Sequence, residues 1–300
     1  MQDKVVGALW DASKGVLEMG DDQYARWREL LEQRTGMVLP DERRSFLLTN
    51  LAIRMREIGC HDFQEYYEHV MNGAKGAIEW TTLVDRLTVH ETRFFRHFNA
   101  LNFLKEKMLP EWIEQPGKSL NIWSVGCATG EEPYTLAMAV DYFIRQKGIE
   151  YYLGVLASDI SMASLAIGRE GVYDARKLTE MEATVLRQYM TRVDEGRYRV
   201  NDDLKKRVCF MRLNVLEMDN IPIGKMDLIF CQNLLIYFNR EKRLQILNNL
   251  VEHLLPGGYL ILGSGEIISW DNGVLEKIYY ENTLVYRRAG DWSDENEGNV

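Results

Sequence analysis

Three hundred residues, 46% hydrophobic and 27% charged, are enough for one large domain or two of ordinary size and exclude wholesale disorder. A formal net charge of −9 argues against a nucleic-acid substrate, which requires a basic footprint. No apolar run approaches the roughly 20 residues of a membrane helix, and Met1-Gln2-Asp3-Lys4 does not open a secretion signal. Cys60, Cys127, Cys209 and Cys231 are widely separated and read as free thiols of a reducing cytoplasm, without a metal site. The expected protein is cytoplasmic and does not span a membrane.

From about residue 20 the chain reads as helical. Tyr24, Trp27, Leu30 and Leu31 recur at helical spacing, and Gly36 supplies a stop. After Pro40, Asp41 is placed to cap a second helix with the apolar face Leu47, Leu51, Met55 and Ile58, ending at Gly59. The other side of that helix carries Arg43, Arg44, Arg54 and Arg56. Asp62 and Glu65 have capping-box spacing ahead of Phe63, Tyr66, Tyr67 and Val70. A fourth helix follows Asn72-Gly73 through Ile78, Leu83, Val84 and Leu87. These elements bound an all-α domain at 20–87, with a linker and connecting helix at 88–116.

From Leu120 the rhythm becomes strand, helix, strand. Strands are expected at 120–125, 152–157, 208–213, 227–231 and 259–262, with an amphipathic helix through Leu136, Val140, Phe143 and Ile144 between the first two. Such alternation builds a parallel sheet covered by helices on both faces. Residues 275–280 and 283–287, around Glu281-Asn282, read as a hairpin adding antiparallel pairing at the sheet edge. The stretch 171–206 is too long for an ordinary loop, and Arg197-Tyr198-Arg199-Val200 alternates like a strand. A small inserted β-subdomain is therefore expected at about 172–207, inside an α/β domain of 117–289. The acidic tail 290–300 is expected not to fold.

The most informative segment is Ile122-Trp123-Ser124-Val125-Gly126-Cys127-Ala128-Thr129-Gly130-Glu131-Glu132-Pro133. A buried strand runs into a tight small-residue loop and then a helix, the geometry with which open α/β sheets grip nucleotide-like ligands. Gly126, Ala128 and Gly130 let the backbone approach a ligand, and Pro133 fits the first helical turn. Glu131 and Glu132 would repel a pyrophosphate and suit a positively charged ligand such as S-adenosylmethionine. Their competing use is to complement the helix dipole.

Other candidates lie at the ends of later strands. Asp159 is placed to accept hydrogen bonds from ribose hydroxyls, or else to cap the helix beginning near Met162. Asn214 and Asn233 share the carboxyl edge of the sheet, where amides read an adenine edge or serve turns. Tyr237 presents a polar tip between two apolar neighbours, as a core tyrosine also does. The segment from Thr88 to Arg96, by itself, reads as a solvated face with a phenylalanine anchor.

Together these motifs resemble the CheR-type methyltransferases, which methylate glutamate side chains of chemoreceptors. The resemblance runs from about Tyr24 to Arg287. It rests, in order, on Glu91-Thr92-Arg93-Phe94-Phe95-Arg96, on Trp123-Ser124 through Gly130-Glu131-Glu132-Pro133-Tyr134, on Ser158-Asp159-Ile160, on Asn233 with Leu235-Ile236-Tyr237-Phe238, and on Leu255-Pro256-Gly257-Gly258. It implies an N-terminal all-α domain followed by a Rossmann-like class I S-adenosylmethionine-dependent domain with an inserted antiparallel β-subdomain. It also implies cofactor contacts from Thr92, Arg96, an acidic residue at Glu131 or Glu132, Asp159, Asn214 with Val215, and Asn233. Arg96 and Tyr237 match the residues the family places beside the transferred methyl group. His90 stands where the family usually has asparagine and Gln232 where it usually has arginine; glutamine lacks the arginine's charge.

The implied reaction moves a methyl group from S-adenosylmethionine to a receptor glutamate, giving a methyl ester and S-adenosylhomocysteine, in chemotaxis or pilus-based motility. The alternative is a regulatory module that binds cofactor or product without turnover. A nicotinamide oxidoreductase is disfavoured by the acidic pair. The expected partner is the cytoplasmic helical bundle of a chemoreceptor-like membrane protein, approached by a monomer. Arg43 and Arg54, nearly on one stripe with Asn50, are candidates for docking that acidic bundle, a solvated helix face being the competing reading.

Overall fold

The structure is a computed structural model that describes residues 19–88, 91–115, 119–266 and 270–290. The chain divides into two compact units. Of the described residues, a helical unit contains those from Met19 to Arg34 and Leu39–Leu83; an α/β unit contains Thr35–Val38 and those from Val84 onward.

The helical unit is built on α1 (Asp21–Thr35), α2 (Arg44–Ile58), α3 (Phe63–Met71) and α4 (Gly73–Leu87). Trp27, Leu31, Leu47, Leu51, Met55, Tyr66, Val70 and Leu83 are buried, and the Trp27 and Tyr66 rings stack at 5.3 Å. Asp62 caps α3 as its spacing predicts, accepting from the Gln64 and Glu65 N–H groups; Glu65 returns to the His61 N–H at 2.7 Å. Asp41 does not cap α2. It sits in a separate 3-10 turn (Asp41–Arg43) and pairs with Arg28 at 2.6 Å, a cation the local pattern does not reveal. Ile78 is 70% exposed, because the buried stripe of α4 passes through Glu79 and Leu83.

Glu79 decides the fate of the arginine stripe. Its carboxylate is 5% exposed and accepts from Tyr66 Oη at 2.8 Å and from Arg54 Nε at 2.8 Å. Arg54 also bonds Glu57, and its side chain is only 12% exposed. These carboxylates hold its guanidinium firmly protonated, well above the ordinary arginine range. A buried carboxylate needs such a partner to repay its desolvation, so Arg54 is an internal counter-ion and offers no free charge for docking. Arg43 is exposed ahead of α2, and Asn50 turns its amide onto the Phe46 carbonyl at 2.9 Å. The expected stripe does not form.

In the α/β unit, α5 (Phe98–Phe103) widens to π-type winding at Leu104–Met108 and continues as α6 (Leu109–Ile113). The large sheet then uses β1 (Ser119–Val125), β2 (Tyr152–Asp159), β6 (Val208–Arg212), β7 (Met226–Cys231), β8 (Leu254–Leu262), β9 (Leu275–Tyr280) and β10 (Thr283–Arg288). Its order is β6-β2-β1-β7-β8-β10-β9, parallel through β8 and antiparallel across β10. β7 is buried at every position, as a central parallel strand should be. α7 (Glu131–Lys147) contributes Leu136, Val140 and Ile144 to one core, and α11 (Arg240–Glu252) contributes Ile246, Leu247 and Leu250 to the other. Val125 pairs with both Ser158 and Cys231, so β1, β2 and β7 reach their carboxyl ends side by side.

Between α8 (Met162–Glu170) and β6 lies the inserted piece. β3 (Val172–Asp174), β4 (Met190–Arg192) and β5 (Arg197–Val200) form an antiparallel sheet of order β3-β5-β4, with α9 (Ala183–Tyr189) and α10 (Asp202–Lys205). Asp141 of α7 anchors it, accepting from Tyr189 Oη at 2.7 Å and from Tyr151 Oη. Burial pushes the Asp141 carboxyl up, but the bonds from Tyr151, Tyr189 and Arg145 outweigh it and hold the group below the usual range.

Breaking the Arg54–Glu79 pair should unravel the helical unit first. Glu79→Ala is expected to cost about 3 kcal/mol, because it leaves a largely buried guanidinium with only the half-exposed Glu57 as its carboxylate partner. Urea unfolding followed by far-UV circular dichroism checks this; a loss no larger than that of Glu57→Ala would show the pair to be dispensable.

Candidate active site

The loop after β1 owes its shape to residues without bulk. Gly126, at φ 75, donates its N–H to the Ser158 carbonyl at 2.8 Å, and Cys127 does so at 2.9 Å. Ala128 adopts φ 46 and donates its N–H to Asp159 Oδ2 at 2.8 Å. Gly130, at φ 95, caps α7. A Cβ there would stand 2.9 Å from Tyr173 Oη and 3.0 Å from Gly168 Cα, so packing alone demands glycine.

The acidic pair splits. Glu131 is fully buried and points into the protein, accepting from Thr129 Oγ1 at 2.6 Å and facing Lys177 Nζ at 3.1 Å. Glu132 faces a cavity and accepts from Ser124 Oγ at 2.7 Å. Burial pushes its carboxyl up to about 8; the Ser124 bond and the Arg96 charge oppose the rise, and Glu266 adds to it.

Two adjoining cavities, both within the α/β unit, share Gly126, Ala128, Asn233 and Tyr237. Asp159, Ile160, Asn214 and Val215 line the first. Asp159 also accepts from the Ser161 N–H at 2.9 Å, yet Ser161 itself caps α8, so Asp159 is not the cap. Each carboxylate oxygen retains capacity for a further donor. Asn214 caps the 3-10 turn Val215–Asn220 through Leu216 N–H at 3.2 Å, so its turn use and its place on the wall coexist.

Thr92, Arg96, His97, Glu132, Gln232 and Ile236 line the second cavity. Arg96 is steadied by the Glu91 carbonyl, which accepts from Nη1 at 2.7 Å. Gln232 is 8% exposed, and Asn233 adopts φ 59. The Asn233 Oδ1 is buried without a well-formed hydrogen bond, with the His97 ring alongside. Burial and the Arg96 charge lower His97 to about 4 against the pull of Asn233, so the ring is neutral. Tyr237 ends the 3-10 turn Leu235–Tyr237. His90 lies outside the described residues.

Sequence reasoning missed the residues that hold these loops. Glu266 accepts from the Leu235 N–H at 3.0 Å and the Gly263 N–H at 2.8 Å. Arg243 donates Nε to the Phe238 carbonyl at 2.7 Å and Nη2 to that of Ile236 at 3.4 Å. Lys177 donates to the Thr92 carbonyl at 2.5 Å. The small-residue turn Gly263-Ser264-Gly265 after β8 hinted at Glu266; nothing local marked Lys177 or Arg243.

The donor set suits one kind of ligand. A diol would meet Asp159, a flat ring the apolar walls with the Asn214 amide, and an ammonium Glu132 with the Asn233 oxygen. Residues 90–283 match the CheR methyltransferase, SAM binding domain, and residues 22–88 match the CheR methyltransferase, all-alpha domain. The chain belongs to the CheR methyltransferase family. It is 33% identical to chemotaxis protein methyltransferase 1 of Pseudomonas aeruginosa over 88% of this chain and 97% of that one. Chemotaxis protein methyltransferase 2 of Vibrio cholerae is 30% identical, over 92% and 96% respectively. The chemotaxis protein methyltransferase of Borreliella burgdorferi is 29% identical, over 82% and 88%. As a member of the CheR family, the protein is an S-adenosylmethionine-dependent methyltransferase, and its α/β unit is the cofactor-binding domain.

An ammonium seated beside the raised Glu132 carboxyl would give cofactor binding a pH signature. Below about 8 the free group holds its proton, whereas an ammonium beside it favours the carboxylate. Binding of S-adenosylhomocysteine should then release a proton, and affinity should fall as pH drops below 8, by up to about tenfold per unit. Glu132→Gln should flatten that slope. Calorimetry in buffers of different ionisation heat reads both effects; a pH-independent parent affinity would remove Glu132 from the ammonium site.

Proposed function

We propose that the protein methylates glutamate side chains of a chemoreceptor, producing glutamate methyl esters and S-adenosylhomocysteine. The observation that carries the reading is the single wall shared by two cavities. Asp159 and Asn214 stand in one, Arg96 and Glu132 in the other, and Gly126, Asn233 and Tyr237 border both. The names of the relatives, chemotaxis protein methyltransferases, support the receptor as substrate.

When bound, S-adenosylmethionine supplies an electrophilic methyl group on a sulfonium. The acceptor needs no general base, because a glutamate with a reference pKa of about 4.3 is already ionised at neutral pH. The task of the residues is to strip water from that carboxylate and hold one oxygen on the line of transfer. Arg96, pinned by the Glu91 carbonyl, presents a rigid donor fork to the acceptor. Tyr237 donates one hydrogen bond beside it. Glu132 and Asn233 would hold the amino-acid end of the cofactor, with Thr92 and Gln232 on the same wall. Asp159 would take the ribose, and Asn214 with Val215 the adenine, all on the wall of the first cavity.

The partner in this reading is the cytoplasmic helical bundle of a receptor, met by a monomer in the cytoplasm. Among the described residues no helix is long and apolar enough to cross a membrane. Of the two docking arginines, Arg43 alone remains a candidate.

Arg96→Ala and Tyr237→Phe should each slow single-turnover methyl transfer to receptor-bearing membranes, on the order of a hundredfold for a lost oriented donor. Rates equal to the parent's, with labelled cofactor saturating, would take both out of the active centre. Cofactor binding without any transfer by the parent protein would leave a regulatory module instead.

Arg43→Glu should raise the receptor KM and weaken its salt dependence while leaving the helical unit folded. Kinetics that match the parent's across salt would make Arg43 an ordinary solvated side chain.

A further inference from the structure

The α/β unit includes four residues from far upstream. The chain enters it at Thr35, leaves after Val38, and returns for good at Val84. Both visits reach the cavity of Asp159: Thr35 and Met37 line it on the first, Leu87 and Thr88 on the second.

The first visit is built as a close-fitting strap. Thr35 is 1% exposed, and its Oγ1 accepts from the Met37 N–H at 3.1 Å. Gly36 adopts φ 78, and a Cβ there would lie 2.2 Å from Leu216 Cδ1 and 3.0 Å from Phe238 Cε1. Only glycine lets the backbone pass so near. Leu216 and Phe238 are the chain neighbours of Val215 and Tyr237, both on the cavity wall. Val38 donates its N–H to the carbonyl of Tyr237 itself at 2.8 Å. Met37 and Leu87 join Ile160, Leu213 and Val215 in an apolar lining of the kind that accepts a flat ring, while Asp159 and Asn214 supply its polar groups.

We propose that Thr35–Val38, with Leu87 and Thr88, forms the wall over the adenosine end of the cofactor site. Cofactor loading stiffens this strap, and with it the places where the chain passes to and from the helical unit. The inference rests on the assignment of that cavity to S-adenosylmethionine. Its physical content is that a ring seated against Met37 and Leu87 immobilises backbone that is covalently continuous with α1 and α4, and also props the carbonyl of Tyr237. Occupancy is thereby reported to both the helical unit and the catalytic loop.

Hydrogen exchange on the full chain, with and without S-adenosylhomocysteine, tests it. Residues 34–39 and 84–88 should exchange on the order of tenfold more slowly when the ligand is bound. Met37→Ala, which removes a cavity-lining side chain without straining the backbone, should weaken the ligand by about five- to tenfold. Gly36→Val should weaken it further, with its ligand-free circular dichroism compared against the parent to confirm folding. Binding to the parent with no added protection in those two stretches, together with Met37→Ala affinity within twofold of the parent's, overturns the inference and leaves the cofactor assignment standing. Failure of the parent to bind the ligand at all overturns both.

Discussion

One carboxylate ties together the two strand ends on which the site is built. Asp159 finishes β2, and its two oxygens take the N–H groups of Ala128, in the loop after β1, and of Ser161, at the start of α8. A carboxylate bonded by backbone donors on two elements fixes their directions. The tight turn of Gly126 and Ala128, the Ser161 cap and the mouth between them are therefore held by the residue that is also the ribose candidate. In the proposed site, positioning and binding are not separate duties at Asp159. Replacing it would disturb the loop as well as the ligand, so a loss of affinity in such a variant cannot be apportioned to hydroxyl contacts alone.

Neighbouring glutamates take opposite roles because of what each can reach. Glu131 falls on the side of α7 where Thr129 and Lys177 meet it, and Lys177 also draws in the Thr92 carbonyl. Phe94 adds its N–H to the Lys177 carbonyl at 3.2 Å. The inserted subdomain thus clamps the linker that carries Arg96, through one lysine used at both ends. Glu132, one residue on, is turned by the 3.6-residue helix towards Ser124 and the cavity. Adjacent side chains on a helix do not share a face, so of the doublet Glu131 turns inward and Glu132 lines the cavity.

What was legible in the sequence was what repeats locally. The parallel strands announce themselves because burial on both faces makes them nearly continuous apolar runs, as at β7, where Asp227 is the single polar residue. The hairpin of β9 and β10 and the Asp62 cap are equally local. The strand-end rule then delivered Asp159, Asn214, Asn233 and Tyr237 to one crevice. Illegible were the choices set by distant partners. Asp41 prefers Arg28 to the helix end, Arg54 is drawn inward by Glu79, and Ile78 is turned out because Glu79 occupies the buried stripe. Glu266 reaches back 31 residues to Leu235. No window of sequence contains both members of such a pair, and helical spacing cannot say which charged residue will be the buried one.

The carboxylates around the cavities differ in remaining capacity, and that difference orders their chemistry. Glu266 and Asp159 each accept from two backbone donors, Gly263 and Leu235 for the first and Ala128 and Ser161 for the second. Glu132 takes one neutral hydroxyl, and burial raises it to about 8 in spite of Arg96 nearby. Burial favours the protonated form of Glu132, and a cation placed beside it would offset that cost. The thiols beside it offer no competing route: burial pushes both Cys127 and Cys231 well up, so neither presents a thiolate nucleophile. In the proposed reaction the polar groups of this wall would match charge, Glu132 to a cationic ligand and Arg96 to an anionic acceptor.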